Sequence, residues 1–160
     1  MNNYNQELGY YSATRRLIHR FKSADLAVEI GYSKQSFYNF ESGKNMLPLI
    51  YLPKLCNLLQ INIDDFLFMK EELEDFVIND EIINKQVSNN IRFVRKSRCM
   101  TQEEVAQHLS CNKKTVHKYE TGFLPTITFI YNFCHFFNIK PSYILYGDIY
   151  EDRLKQYLHL

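Results

Sequence analysis

Between residues 112 and 120 the sequence concentrates basic side chains on what would be one side of a helix. They are Lys113, Lys114, His117 and Lys118, in the segment KKTVHKYE. Val116 and Tyr119, three positions apart, mark the opposite, apolar side if the segment is helical. Lysine ammonium groups bind phosphate oxygens and the O6 and N7 atoms of guanine, so the basic side has the chemistry of a surface that binds a polyanion.

A second helix just upstream is needed to hold this surface in place. Thr101 can cap a helix over QEEVAQHL, which has an acidic first turn and a buried side at Val105 and Ala106. Asn112 can then cap KKTVHKYE, and Gly122 can end it. The pattern predicts a helix, a short turn and a second helix, with further apolar helices before and after the pair.

The same pattern occurs twice in the chain. Pairs at a constant offset of 79 are Ala27 and Ala106, Ser33 and Asn112, Lys34 and Lys113, Phe40 and Tyr119, Glu41 and Glu120, and Gly43 and Gly122. Further along, the offset becomes 78, because the first copy holds one more residue around KNMLP. An internal duplication explains this pattern, so we predict one small helical domain built twice in tandem.

Charge distinguishes the two copies. The chain of 160 residues has a net charge of only +1, but residues 88–147 carry eight Lys or Arg against three Asp or Glu. Residues 1–67 carry seven against six, and residues 68–87 carry two against six. The second copy is therefore the one whose charge favours contact with a polyanion.

The chain divides into four parts by pattern and charge. We predict a first domain over residues 1–68, an acidic connector over 69–87, a second domain over 88–147 and a C-terminal tail over 148–160. In the connector, Leu73, Phe76 and Val77 are spaced like one face of a helix, so we predict a connecting helix, with a solvated charged segment as the alternative. The tail DIYEDRLKQYLHL has the pattern of a final amphipathic helix.

Two stretches of the chain resemble one known family. TQEEVAQHLSCNKKTVHKYETG, followed by an amphipathic helix and NIKPSYILYG, resembles the helix-turn-helix domains of lambda repressor and Cro, also called the xenobiotic-response-element (XRE) family. The resemblance covers residues 88–147 and, with more departures, residues 12–68. It implies five helices in each copy, with the third helix entering the major groove of double-stranded DNA, which is about 12 Å wide.

The resemblance implies roles for residues of the second copy. Gln102 occupies the family position that contacts a DNA phosphate and orients the domain. The groove-facing positions are Asn112, Lys113, Lys114, Thr115, His117 and Lys118. The three lysines are the strongest candidates for base or phosphate contact, whereas His117 is equally typical of an exposed position in any helix.

The family also has an arginine in helix 1 that bonds a glutamate at the end of helix 3. Arg95 and Glu120 match this pair, and Arg16 and Glu41 repeat its spacing along the chain. Removing one member of a largely buried pair leaves an uncompensated charge, so we predict a structural role for both pairs.

The first copy departs from the family pattern on its reading face. Its candidate DNA contacts are Ser33, Lys34, Gln35, Tyr38 and Asn39, of which one is a lysine. Ser23 stands where the second copy has Gln102, and Ser12 falls where it has Ile91, which leaves the register of the first helix unassigned. Gln and Asn suit adenine, so this copy can read bases; alternatively, it has become a protein-binding surface.

Other functional classes find little support in the residues. The chain has no apolar run of the length of a membrane span and no signal-peptide pattern, so we expect a cytoplasmic location. The cysteines lack Cys-x-x-Cys spacing, which disfavours a zinc site from Cys99, His108, Cys111 and Cys134. The adjacent carboxylate pairs fit the first turns of helices, and the glycines form no phosphate-binding loop. We predict no enzyme, no metal and no cofactor.

Together these patterns predict an all-α protein with two lambda repressor-like five-helix domains joined by an acidic, helical connector. The predicted function is sequence-specific binding of double-stranded DNA by a transcriptional repressor that occludes a promoter, in a bacterium or a mobile element. A homodimer, or an intrachain pseudo-dimer of the two copies, would reach half-sites about 34 Å apart. The alternative is an interaction protein, such as an antitoxin or inhibitor, that binds a protein partner through one or both domains.

Overall fold

The computed structural model describes residues 2–76, 78 and 81–147. Within these residues the secondary structure consists of ten α-helices and one 3-10 turn, without strands. The chain divides into two compact units, and the boundary along the sequence falls between Glu81 and Ile82. The all-α class predicted from the sequence is confirmed.

The first unit is a bundle of five α-helices. They are α1 (Asn2–Ile18), α2 (Ser23–Ile30), α3 (Lys34–Glu41), α4 (Leu52–Leu58) and α5 (Ile63–Leu67), with a 3-10 turn (Leu49–Tyr51) before α4. The third helix packs against α1 and α2, and α5 packs against α1 and α4. Phe37, Phe40 and Phe66 are the largest side chains that are wholly buried in this core. α3 is thus anchored on its inner side by two phenylalanines.

The second unit repeats this arrangement. Its helices are α6 (Asn84–Ser97), α7 (Gln102–His108), α8 (Lys113–Glu120), α9 (Ile127–Phe137) and α10 (Pro141–Tyr146). α8 packs against α6 and α7, and α10 packs against α6. The core includes the inward positions predicted for the helix pair, Val105, Ala106, Val116 and Tyr119. It also includes apolar residues of the same and neighbouring helices, namely Ile91, Val94, Leu109, Ile127, Ile130, Phe133, Cys134 and Phe137.

Capping residues fix where the central helices begin. Thr101 and Glu104 form a capping box at the start of α7, in which the Thr101 backbone N–H and hydroxyl donate to Glu104 at 2.7 and 2.8 Å. These hydrogen bonds hold the pKa of Glu104 below its ordinary value. Asn112 caps α8 and Ser33 caps α3 through side-chain oxygens. Each helix pair is therefore set by local signals that the sequence contains.

The register of α1 follows the same offset of 79 as α2 and α3. Arg16 bonds Glu41 and the carbonyl of Phe21, just as Arg95 bonds Glu120 and the carbonyl of Met100. Ser12 is wholly buried at the position of Ile91 in the second copy. Its hydroxyl has no hydrogen-bond partner among the residues that the structure describes.

The prediction of a helical connector is wrong for the residues that can be described. Residues 71–76, 78 and 81–83 are not helical, and Val77 lies outside the described residues. α6 begins at Asn84, so the last four residues assigned to the connector belong to a helix of the second unit. Val87, the last of them, is wholly buried.

Side chains near α5 explain why the described residues 71–76 of the connector are not helical. The carboxylate of Asp65 accepts the backbone N–H of Glu74 at 2.9 Å, and Asn62 donates to the carbonyl of Asp75 at 2.5 Å. A connecting helix would use these backbone groups internally, whereas here they bind side chains from the first unit. Lys70, 2.9 Å from the buried Asp65, balances the charge of that carboxylate.

The predicted C-terminal tail, residues 148–160, lies outside the described residues. No helix within the described part of the chain is long and apolar enough to cross a membrane.

Candidate nucleic-acid interface

The outer side of α8 is a cationic surface. Its exposed residues are Asn112, Lys113, Lys114, His117 and Lys118, and Thr115 is half-buried beside them. On the inner side, Val116 is wholly buried and Tyr119 nearly so. The ring of Tyr119 packs edge-on against Phe129 of α9, with centroids 4.7 Å apart. Burial of one side of α8 therefore fixes which side chains it presents to solvent.

The first turn of α8 commits two of the predicted DNA-binding residues to its own structure. Asn112 Oδ1 accepts the backbone N–H of Thr115 at 2.9 Å and the hydroxyl of Thr115 at 3.1 Å. The Asn112 oxygen serves as the cap, and the amide nitrogen keeps its capacity to donate. The lysines and His117 are the side chains of α8 best suited to bind an external anion.

A buried carboxylate ties α8 to the two preceding helices. Glu120 accepts hydrogen bonds from Arg95 Nε at 2.5 Å, from Arg95 Nη2 at 2.8 Å and from Gln102 Nε2 at 2.8 Å. Arg95 Nη1 also donates to the carbonyl of Met100 at 2.7 Å. This cluster joins α6, α7 and α8, so it sets the angle at which the cationic surface is presented.

The charge of Glu120 is stabilised within this cluster. Burial by itself would raise the pKa of Glu120, but the hydrogen bonds from Arg95 and Gln102 and the charges of Arg95 and Arg92 outweigh it. The pKa of Glu120 therefore lies below its ordinary value. The carboxylate is ionised at neutral pH and holds its two partners.

Gln102 donates a hydrogen bond to Glu120 and is also partly exposed to solvent. It is the first residue of α7 and is half-buried. A side-chain amide has two N–H groups, and Glu120 occupies one of them in the observed hydrogen bond. The other is available to a phosphate, so the observed bond orients Gln102 without consuming its capacity to donate.

Two residues near this surface were not singled out by sequence reasoning. Phe123 is 57% exposed directly after Gly122, and its ring centroid lies 5.2 Å from Lys118 Nζ. Arg92 lies on α6 with Nε 3.8 Å from Glu120 Oε2. The sequence signal for Phe123 is an aromatic residue directly after the glycine that ends the helix. The signal for Arg92 is a second arginine three positions before Arg95.

The equivalent helix of the first unit presents different chemistry. Ser33 caps α3 by accepting the backbone N–H of Ser36 at 3.2 Å. Gln35 Nε2 donates to Asn39 Oδ1 at 3.2 Å, so these two amides bind each other. Lys34 is exposed, and Tyr38 is 57% exposed. The outer side of α3 is therefore polar and aromatic, with a single cation.

In the first unit, the pair formed by Arg16 and Glu41 has fewer hydrogen bonds than the pair formed by Arg95 and Glu120. Arg16 Nε donates to Glu41 Oε1 at 2.6 Å, and Arg16 Nη1 donates to the carbonyl of Phe21 at 2.9 Å. Ser23 replaces Gln102, so a glutamine donor to the carboxylate is missing at this position. The two units share a scaffold but differ in the groups that would meet a phosphate.

Comparison with known proteins gives two family matches, one to each unit. Residues 16–72 match the family model described as a Cro/C1-type HTH DNA-binding domain. Residues 91–144 match the family model described as helix-turn-helix. No curated protein and no solved structure matches the chain.

Proposed function

This chain is a tandem of two Cro/C1-like helix-turn-helix domains, and we propose that it is a transcriptional repressor that binds a specific DNA sequence and blocks a promoter. Domains of this type bind double-stranded DNA, which agrees with the resemblance found in the sequence. Occlusion of a promoter requires only that the bound protein cover the site at which polymerase binds. A bacterium or one of its mobile elements is the proposed setting.

The observation that carries this proposal is the cationic outer side of α8. An α-helix with its side chains is about 10–12 Å in diameter, so the eight-residue α8 fits the major groove, which is about 12 Å wide. Lys113, Lys114 and Lys118 project from its exposed side, and His117 lies among them. Phosphate contacts by such side chains give affinity, and contacts to base edges give specificity.

Two domains in one chain provide a means of reaching two half-sites. A covalent link raises the effective concentration of the second domain once the first has bound. The non-helical connector residues 71–76 are compatible with such a link. We propose that the second domain dominates affinity and that the first contributes hydrogen bonds from Gln35 and Asn39.

Selection of the intact chain against a random double-stranded DNA library tests the function. Two related motifs at a fixed spacing would mean that both domains of one chain read DNA. A palindrome of one motif would mean that two chains read through the second domain. No enrichment at moderate salt would contradict the proposal.

A second candidate function is favoured by the surface of α3. Only Lys34 is cationic there, Gln35 and Asn39 are bonded to each other, and Tyr38 is largely exposed. Aromatic residues with few charges are typical of protein-binding surfaces. In this alternative the first domain binds a protein, as in an antitoxin or inhibitor. The affinity for such a partner would depend little on salt concentration, whereas the affinity for DNA falls steeply as salt concentration rises.

A further inference from the structure

The outward side of α1 in the first domain carries an apolar stripe. Tyr10, Leu17 and Ile18 are 75%, 64% and 59% exposed. They share one side of the helix with the exposed side of Thr14, because residues three, four and seven apart are neighbours on a helix surface. The opposite side, which includes Leu8, is buried in the domain. Three large apolar side chains therefore lie close together in water.

A groove runs beside this stripe. It has a volume of about 570 Å³, and its lining includes Tyr10, Thr14, Ile18, Phe68 and Met69. Tyr11 donates its hydroxyl to the carbonyl of Lys70 at 2.7 Å, and Arg15 Nη2 donates to the same oxygen at 3.1 Å. These bonds hold the segment after α5 against α1, so the groove is a preformed part of the first domain.

The equivalent surface of the second domain is more polar. The positions equivalent to Tyr10, Leu17 and Ile18 are Asn89, Lys96 and Ser97 on α6, whereas the half-buried Phe93 stands where the first copy has Thr14. Because both helices occupy the same place in the same fold, the fold itself does not require apolar residues there. Clustered apolar side chains on a surface mark sites of interaction, so the three exposed residues of α1 indicate a contact surface.

We propose that this stripe joins two copies of the chain through antiparallel packing of their α1 helices. A two-fold axis at Thr14 places Tyr10 of one copy against Ile18 of the other, since each lies four positions from Thr14. Charge favours a second copy as the occupant, because the antiparallel arrangement brings the exposed Glu7 of one copy near the exposed Arg20, two residues after the end of α1, in the other. The same surface is used by both copies, so association closes at a dimer.

This dimer goes beyond the function proposed above and does not require DNA. Its surface lies on α1, whereas the proposed DNA contacts lie on α3 and α8. A dimer built in this way brings four helix-turn-helix domains together. Loss of DNA binding and loss of the dimer can therefore be measured separately.

Sedimentation equilibrium of the full chain without DNA tests the proposal. We expect twice the chain mass of 19.2 kDa. The double variant Leu17→Lys with Ile18→Ser introduces the residue types that the second copy has at these positions. It should raise the dissociation constant of the dimer at least about tenfold, because removal of side chains at the centre of an interface has effects of this size. Val28→Gln is the control: Val28 is 59% exposed on α2, the second copy has Gln107 there, and the dimer should persist.

Other results would overturn the proposal. A monomeric wild-type chain would do so, as would a dimer that survives the double substitution with its helical content unchanged. A dimer that survives this substitution but is lost when the chain stops after Gly147 would assign the contact to the tail. For the antiparallel arrangement, Glu7→Arg should weaken the dimer and added Arg20→Glu should restore it; failure of restoration would exclude that arrangement.

Discussion

Glu120 accepts hydrogen bonds from Arg95 and Gln102 in the interior of the second domain. Arg95→Ala would leave this carboxylate buried with one strong donor, at a cost of roughly 3 to 5 kcal/mol in the free energy of unfolding. Urea denaturation of the second domain measures this change. Arg16→Ala serves as the comparison and should cost less, because Glu41 makes one hydrogen bond to its arginine rather than two. An unchanged transition in Arg95→Ala would contradict the structural role.

The same carboxylate predicts a dependence of stability on pH. The pKa of Glu120 is lower in the folded chain than in an unfolded one, where glutamate titrates near about 4.3. Its contribution is therefore complete above that value and is lost as pH falls through the lower, folded pKa. Denaturation of the second domain at pH 7 and at pH 3 should show this loss, and Glu120→Gln should show a smaller difference between the two. An equal difference in both proteins would refute the assignment.

The first helix of each domain contains a buried serine, and the two domains should respond in opposite ways when the serine hydroxyl is removed. Ser12 Oγ is buried without a partner in the described structure, so Ser12→Ala should stabilise the first domain by about 1 kcal/mol. Ser88 Oγ accepts the backbone N–H of Gly122 at 3.0 Å, so Ser88→Ala should destabilise the second domain by a similar amount. Thermal denaturation of both variants is the measurement. A loss of stability in Ser12→Ala would show that its hydroxyl has an unrecognised partner.

Individual side-chain contacts were predictable where a family pattern or a local capping signal displays them. The family resemblance identified the pair Arg95 and Glu120, and the equal spacing of Arg16 and Glu41 extended it to the first copy. The bond between Gln102 and Glu120 has no counterpart in the first copy, where Ser23 stands, and it depends on how three helices meet. Such a contact follows from tertiary packing and leaves no periodic signal in the sequence.

At the scale of elements, α8 is the helix whose side chains should control DNA affinity. Lys113→Ala with Lys114→Ala should weaken duplex binding at least about tenfold and make the salt slope shallower, by about 0.9 for each phosphate that is no longer neutralised. Binding titrations at several salt concentrations measure both effects. Lys34→Ala, at the position equivalent to Lys113, is the matched control on α3 and should have a smaller effect. Unchanged affinity in a folded double variant would remove α8 from the proposed interface.

The helices were predicted well and the connector poorly, for one physical reason. Apolar spacing identified the buried sides of α7 and α8, because each helix packs one side against a core. Leu73 and Phe76 have helical spacing too, but Asp65 and Asn62 bind backbone groups of that segment, which is not helical. Periodicity reports which residues need burial, and it carries no information on side chains that compete for backbone hydrogen bonds.

For the whole molecule, the non-helical residues described around Ile78, namely 71–76, 78 and 81–83, predict tolerance to added length. Four Gly or Ser residues inserted after Ile78 should leave the thermal transitions of both domains unchanged. Doubling the length of a loop costs only about 0.6 kcal/mol in closure entropy, and four residues are much less than a doubling of the connector. If both domains of one chain read DNA, the same insertion should weaken binding to the selected two-motif site. Affinity should recover when spacing between the motifs is increased. A destabilised domain would show that the connector is part of its fold.

The hydrogen bonds from α1 to the end of the first domain also bear on folding during synthesis. Tyr11 and Lys70 are 59 residues apart, and Tyr4 bonds the carbonyl of Leu67 across 63. At about 5 to 20 residues per second, the ribosome needs roughly 3 to 12 s to supply these partners. Throughout that interval α1 has emerged without the segment that completes its groove. Within the first domain, α1 thus completes its contacts only when the end of the domain has been made. Until then its apolar side chains are exposed for seconds to chaperones at the exit tunnel.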